Sequence, residues 1–231
     1  MEVFLDQFLN PAVLAKYAPL VLKGAGVTEI GRASGRERVW WFVLAGIVLG
    51  AGLACVRAYR IRALSFLIVI FADVLRALPP LVLILLVYFG LPNLGIVLSS
   101  FAVLFLVLTL VLAAFAEEIV WAGITATPKG QWEAARSTGL GFTQALVFVV
   151  LPQAVRMVIP PLTNRAIAIT KMTALGMVIG VPDILGQATT AQSFSANATP
   201  MTQAAQAYVA NLLPLDIASR WLEQRFAQKG H

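Results

Sequence analysis

Cysteine and histidine each occur once in this sequence, as Cys55 and His231. A lone cysteine excludes an internal disulfide and any zinc site built on cysteines. A lone histidine at the last position removes most histidine-dependent catalysis and metal binding. Charge is scarce too: 12% of the residues are Asp, Glu, Lys or Arg, against roughly 25% in ordinary soluble domains. No G-x-x-x-x-G-K phosphate loop occurs, so the chain is not expected to bind ATP through that motif. These absences leave no residue set expected to hold a metal or cofactor.

Apolar surface is what the chain has in excess. Hydrophobic residues make up 59% of the 231, more than one water-soluble core can hide. The expected class is therefore an all-α, polytopic membrane protein whose first partner is the lipid bilayer. The net charge of +6 is scattered among the apolar segments and forms no single stripe. That distribution fits cytoplasmic loop bias and argues against a nucleic-acid partner. Glu2 and Asp6 stand where a signal peptide carries positive charge, and no small-residue cleavage site follows. An uncleaved amino terminus is expected.

Five spans are expected, at about 40–56, 64–90, 94–114, 154–181 and 204–221, since about 20 residues cross a ~30 Å hydrocarbon core. Pro79 and Pro80 break the second. The fifth carries Gln206, Asn211 and Asp216, so a crossing helix and an interfacial helix both stay open. Basic residues set the orientation. Arg57, Arg60 and Arg62 follow span one, Lys129, Arg136 and Arg156 lie between spans three and four, and Arg220, Arg225 and Lys229 close the chain. Segments 91–93 and 182–203 have none. The positive-inside rule then puts the amino terminus outside, with the 115–153 loop and the carboxyl terminus inside.

Within that loop, Thr127-Pro128 reads as an N-cap followed by proline at the first helical position. Trp132, Ala135, Gly139, Phe142 and Leu146 recur every third or fourth position, which predicts one apolar helix face. Glu133 and Arg136 fall off that face at a spacing suited to an ion pair. Gly139 suits a left-handed C′ position and Gly141 a new helix start. Small Ala134 and Ala135 let another backbone approach closely. Two uses stay open on pattern alone: a grip for a soluble partner, or an amphipathic helix lying on the bilayer.

Glu133-Ala134-Ala135, then Gly139, then Leu151-Pro152, resembles the EAA signature of ATP-binding-cassette importer permeases. Glu118-Ile119, Ala122-Gly123-Ile124, Pro128-Lys129-Gly130-Gln131, Gln153-Ala154, Pro160-Pro161-Leu162, Asn164 and Ile179-Gly180-Val181-Pro182 are similar to the polar-amino-acid branch. So are Arg76, Pro79 and Tyr88-Phe89-Gly90-Leu91-Pro92. The resemblance runs from about 40 to 226 and is specific in the EAA region. It implies a type I importer permease fold in a bacterial plasma (inner) membrane. The implied function is uptake of polar amino acids. The implied partners are two cytoplasmic ABC ATPase subunits, a second permease (the same chain or another) and an extracytoplasmic solute-binding protein. ATP hydrolysis would belong to the ATPase subunits, and Glu133, Ala134, Ala135 and Gly139 would couple it to transport.

The chain departs from the family at several points. Trp121 stands where arginine is frequent, Arg76-Ala77-Leu78-Pro79 where Arg-Gly-Thr-Pro is usual, and Leu83 where glutamine is usual. Lys171-Met172-Thr173-Ala174 replaces Lys-Asp-Thr-Ser. If that aspartate holds a cationic amino-acid group, its loss weighs against basic substrates.

Asn164, Arg165, Lys171 and Thr173 are polar groups inside span four. Intramembrane polar residues of this kind mark a pathway by default, so Asn164, Lys171 and Thr173 are candidates to line the solute route. The alternative is that Arg165 snorkels and Lys171 pairs with a carboxylate of a neighbouring chain. Asp73 and Arg76 are expected to form a structural pair, and Gly46, Gly50 and Gly52 a helix-packing surface. Two other functions stay open: a secondary transporter or channel subunit, and a membrane scaffold, both without ATPase coupling. The first lacks a visible inverted repeat; the second leaves the polar groups of span four unexplained.

The expected organisation is an extracytoplasmic segment 1–39, a permease domain 40–226 containing the 115–153 loop, and a tail 227–231. Residues 29–39 disagree with the rest. Arg32, Arg36 and Arg38 crowd the outer flank of span one, against the orientation rule. Family members run from a Gly-Val-Thr element, here Gly26-Val27-Thr28, directly into apolar residues. The segment also resembles the translated read-through of a sequencing adaptor, differing at Gly35. It reads as foreign to the gene; the alternative is a genuine basic entry to the helix that binds anionic lipid.

Overall fold

The computed structural model describes residues 2–28 and 36–227, and every regular element among them is helical. Residues 29–35 of the anomalous segment lie outside the described residues, and the chain resumes at Arg36. The helices are α1 (Glu2–Leu9), α2 (Pro11–Thr28), α3 (Arg36–Ala58), α4 (Arg62–Ala77) and α5 (Pro80–Gly90). There follow α6 (Ser100–Ala126), α7 (Lys129–Ser137), α8 (Phe142–Ala145), α9 (Leu151–Lys171), α10 (Ile184–Ser195) and α11 (Thr199–Ala227). A π turn, Leu146–Val150, joins α8 to α9, and a 3-10 stretch, Met172–Ile179, extends α9.

Three stretches are long and apolar enough to cross a membrane: Trp41–Ala58, Ser100–Ala126 and Phe142–Ile179. Arg62–Ala77 and Pro80–Leu94 qualify only together, as a pair bent by 102° at the prolines, the shape of a broken span or a re-entrant loop. Leu78 is extended there, at φ −91° and ψ 135°, because the ring of the following proline disfavours helical geometry. α11 covers the expected fifth span but does not qualify on length and composition. Residues 11–28, assigned from sequence to the extracytoplasmic segment, form a helix.

Both ends of the 115–153 segment belong to long helical stretches. α6 runs on through Ala126, and a new helix starts at Phe142. Glu117 and Glu118 look like loop residues, yet each takes an arginine. Arg57 donates to Glu117 at 2.9 Å, and Arg76 pairs with Glu118. Glutamate is itself a good helix former, and pairing offsets the cost of keeping these carboxylates in an apolar helix.

One compact unit comprises Leu44–Leu78, Thr109–Ala166 and Ala218–His231. Its core joins Ala54 and Ala58 of α3, Val120 and Ile124 of α6, and Leu146, Val150, Ala154 and Val158 beyond them. Glycine lets the helices close. A Cβ on Gly50 would lie 2.4 Å from the Ala113 carbonyl oxygen, and one on Gly123 would lie 2.4 Å from Val158. Gly46 likewise meets Leu112, but Gly52 faces open space, so the expected three-glycine packing surface contains two.

The other unit comprises Met1–Val43, Pro79–Leu108 and Ile167–Ile217. Val21 of α2 packs with Ile184 and Ala188 of α10 and Ala204 of α11. Asp183 caps α10: its carboxylate accepts the Gly186 N–H at 2.8 Å and the Tyr208 hydroxyl at 2.9 Å. Burial pushes the Asp183 carboxyl above the ordinary carboxylate range, and these hydrogen bonds offset part of the rise. At the other end of the unit the Asn10 N–H donates to Thr199 Oγ1, and the Asn197 amide donates to the Asp6 carbonyl.

Candidate functional site

α7 is short because both of its ends are fixed by backbone chemistry. Pro128, extended at φ −55° and ψ 139°, occupies the N-cap position. Thr127 does not cap α7 as expected. Its buried hydroxyl turns back to donate to the Gly123 carbonyl of α6 at 3.2 Å. At the far end the Gly139 N–H donates to the Arg136 carbonyl and the Leu140 N–H to the Ala135 carbonyl. Gly139 itself is left-handed at φ +88°. This pair of bonds is a Schellman closure, which favours glycine at that position. Gly141 opens α8, its N–H donating to the Gln144 side chain at 2.9 Å. Both glycines therefore take the roles their spacing predicts.

The turn also splits the expected continuous apolar face. Gly139 drops out of it, while the residues on either side are brought together by folding. Trp132 of α7 stacks on Phe142 of α8, with ring centroids 5.2 Å apart, and Phe142 meets Tyr59 at 5.2 Å. Tyr59 and Thr143 share a hydrogen bond at 3.0 Å. Ala135 is buried. Glu133, Ala134, Arg136 and Gly139 are exposed, and no ion pair joins Glu133 to Arg136 among the described residues. The result is a short helix anchored on one side by Trp132 and Ala135, presenting Glu133 and Ala134 on the other.

The three candidate pathway residues each take a separate partner. Asn164 donates through its amide to Glu223 and accepts from the Ser219 hydroxyl at 2.6 Å, fastening α9 to α11. Lys171 pairs with Asp216 at 2.9 Å, a carboxylate of its own chain in place of the neighbouring chain's. Thr173 is buried and donates to the Thr170 carbonyl. The Arg165 guanidinium lies 3.8 Å from the Phe115 ring centroid. Asp73 and Arg76 form the expected pair at 2.5 Å.

Sequence reasoning missed four groups. Arg57 both pairs with Glu117 and lies over the Trp121 ring, 4.6 Å from its centroid. Tyr59 joins the Trp132–Phe142 stack. Asp183 caps α10. Gln153 donates to the Val149 carbonyl of the π turn and to Gln131 of α7. The available signal was an imbalance: two carboxylates at 117 and 118 in an apolar run require cations, and Arg57 had no assigned partner.

The family model described as the binding-protein-dependent transport system inner membrane component matches residues 46–228. A probable glutamine ABC transporter permease protein of Bacillus subtilis, GlnP, is 36% identical over 184 residues, covering 78% of this chain and 83% of the relative. An arginine transport system permease protein of the same organism, ArtQ, is 30% identical over 209 residues, covering 90% and 92%. A crystal structure of an amino acid ABC transporter superposes with a TM-score of 0.81 at 30% identity, covering 93% of this chain and 97% of that one. The MetNI methionine ABC transporter in an inward-facing conformation shares the fold, with a TM-score of 0.68 at 17% identity and coverage of 94% and 98%.

Proposed function

The chain belongs to the family of binding-protein-dependent transport system inner membrane components, as a permease subunit of an ABC importer, and from that premise we propose that α7 is its ATPase-docking helix. The observation carrying this reading is the Schellman-closed α7, which holds Ala135 inward and leaves Glu133, Ala134 and Gly139 exposed. Two ATPase subunits would hydrolyse ATP and push on this helix. A second permease, the same chain or another, and a solute-binding protein complete the importer. A closing motion of the ATPases then biases a rigid-body switch between outward- and inward-facing states. The substrate class is polar amino acids, in line with the glutamine and arginine permeases among the relatives.

In this reading α7 and the carboxyl terminus face the cytoplasm and the amino terminus faces outward. The solute route follows Asn164, Lys171 and Thr173, with the half-exposed Lys171–Asp216 pair opening to meet a charged solute. The other classes, a secondary transporter or channel subunit and a scaffold, do not account for this family membership.

The test is a reconstituted complex carrying Glu133→Trp or Gly139→Val, fed a mixture of radiolabelled amino acids. Membrane insertion is expected to persist, because both positions lie outside the spans, while uptake is lost or ATP hydrolysis runs free of it. Unchanged uptake in both variants overturns the assignment of α7.

A further inference from the structure

We propose that Gln153 is the positioning residue that passes displacement of α7 into α9. The inference rests on α7 being the ATPase-docking helix and adds the route by which its movement leaves it.

The chemistry begins at Pro152. A proline within an α-helix has no N–H to donate, and its ring collides with the carbonyl four residues back, here Phe148. The helix widens just ahead of it: the Leu151 N–H donates to the Leu146 carbonyl, five residues back, across the π turn. Turns of this kind recur at functional sites. This one is held by a side chain. Gln153 Nε2 donates to the Val149 carbonyl at 2.7 Å and to Gln131 Oε1 at 3.2 Å. An amide nitrogen carries two protons, so one group serves both acceptors.

Gln131 stands on α7 two positions before Glu133. A single side chain thus joins the docking helix to the widened turn from which α9 leaves. α7 also meets this region through apolar groups, the Trp132–Phe142 stack and the buried Ala135, whose contacts are non-directional. The amide bonds are directional. Val150, at the end of the turn, and Ala154 and Val158 beyond it are packed against α3 and α6. A pull on the Val149 carbonyl is therefore resisted by a filled core, and such cores answer by discrete rearrangement.

The test measures ATP hydrolysed per amino acid moved in the reconstituted complex, with the same radiolabelled mixture. Gln153→Leu and Gln131→Ala are each expected to raise that ratio about fivefold or more, the lower end of usual coupling energies. The double variant is expected to be no worse than Gln153→Leu alone, because that change already breaks the Gln131–Gln153 bond. Gln131→Glu with Gln153→Lys restores a donor facing an acceptor and should recover coupling; Gln131→Glu with Gln153→Glu should not. A merely structural role would lower assembly and thermal stability while leaving the ratio unmoved and unrescued, and that result overturns the proposal. If Gln153→Leu fails to assemble, the exposed Gln131→Ala decides alone. Glu133→Trp run in parallel separates the two readings. If it uncouples and the glutamine variants do not, only the role of Gln153 fails. If none uncouples, the assignment of α7 fails first.

Discussion

Arg57 and Glu117 form an ion pair at 2.9 Å in which the carboxylate is 1% exposed and the guanidinium 22%. The Trp121 ring covers the other side of the guanidinium. Arg57→Ala strands a buried carboxylate and is expected to cost about 3–5 kcal/mol, whereas replacing both partners by methionine is expected to cost far less. Thermal unfolding of the detergent-solubilised protein measures both. Equal losses in the single and double variants would show that the pair is not what holds α3 to α6.

Gly50 and Gly52 lie on the same helix with opposite surroundings. Gly50→Ala drives a Cβ against the Ala113 carbonyl and the Ala116 side chain, an overpacking expected to cost about 1–3 kcal/mol. Gly52→Ala meets nothing within 4 Å and is expected to stabilise the helix by up to about 1 kcal/mol. The same unfolding assay reads both, and a destabilised Gly52→Ala would contradict the packing.

Asp183→Ala removes the acceptor for the Gly186 N–H and the Tyr208 hydroxyl, at an expected cost of about 1–2 kcal/mol. Asp183→Asn keeps an acceptor for the cap and should cost less. The folded carboxyl is raised above its unfolded value, mainly by burial. As pH rises from the ordinary carboxylate range, the unfolded state therefore ionises first, and stability is lost up through the raised folded value. The wild type should gain on the Asn variant as pH falls through that window. Unfolding midpoints of both proteins across acidic pH check the sign.

Orientation is open to labelling. With Cys55 replaced, Ser137→Cys in α7 is expected to react only when the reagent reaches the cytoplasm, and Ser195→Cys at the end of α10 only from outside. Labelling of both from one side would mean that the chain between them does not cross.

Residues 29–39 are expected to be absent when the locus is sequenced from independently prepared DNA, which would bring Thr28 directly before the apolar run. Recovery of the same codons would establish a genuine basic segment.

Hydropathy determined the all-α membrane class, and the backbone preferences of proline and glycine determined the break at Pro79-Pro80 and the two glycine roles around α7. These depend on composition and on backbone preferences, which act over a few residues. Glu133, Ala134, Ala135 and Gly139 were singled out by resemblance to a family motif, which hydropathy and charge do not supply. Tertiary structure decided the rest. The ion-pair partners of Glu117 and Glu118 arrive from 57 and 76, far along the chain. Trp132 met Phe142, and Phe142 met Tyr59, through folding that periodicity does not encode. Lys171 found Asp216, and Gln153 found Gln131, in the same manner. A charge or an amide states only that it needs a partner; which partner it receives is fixed when the helices pack.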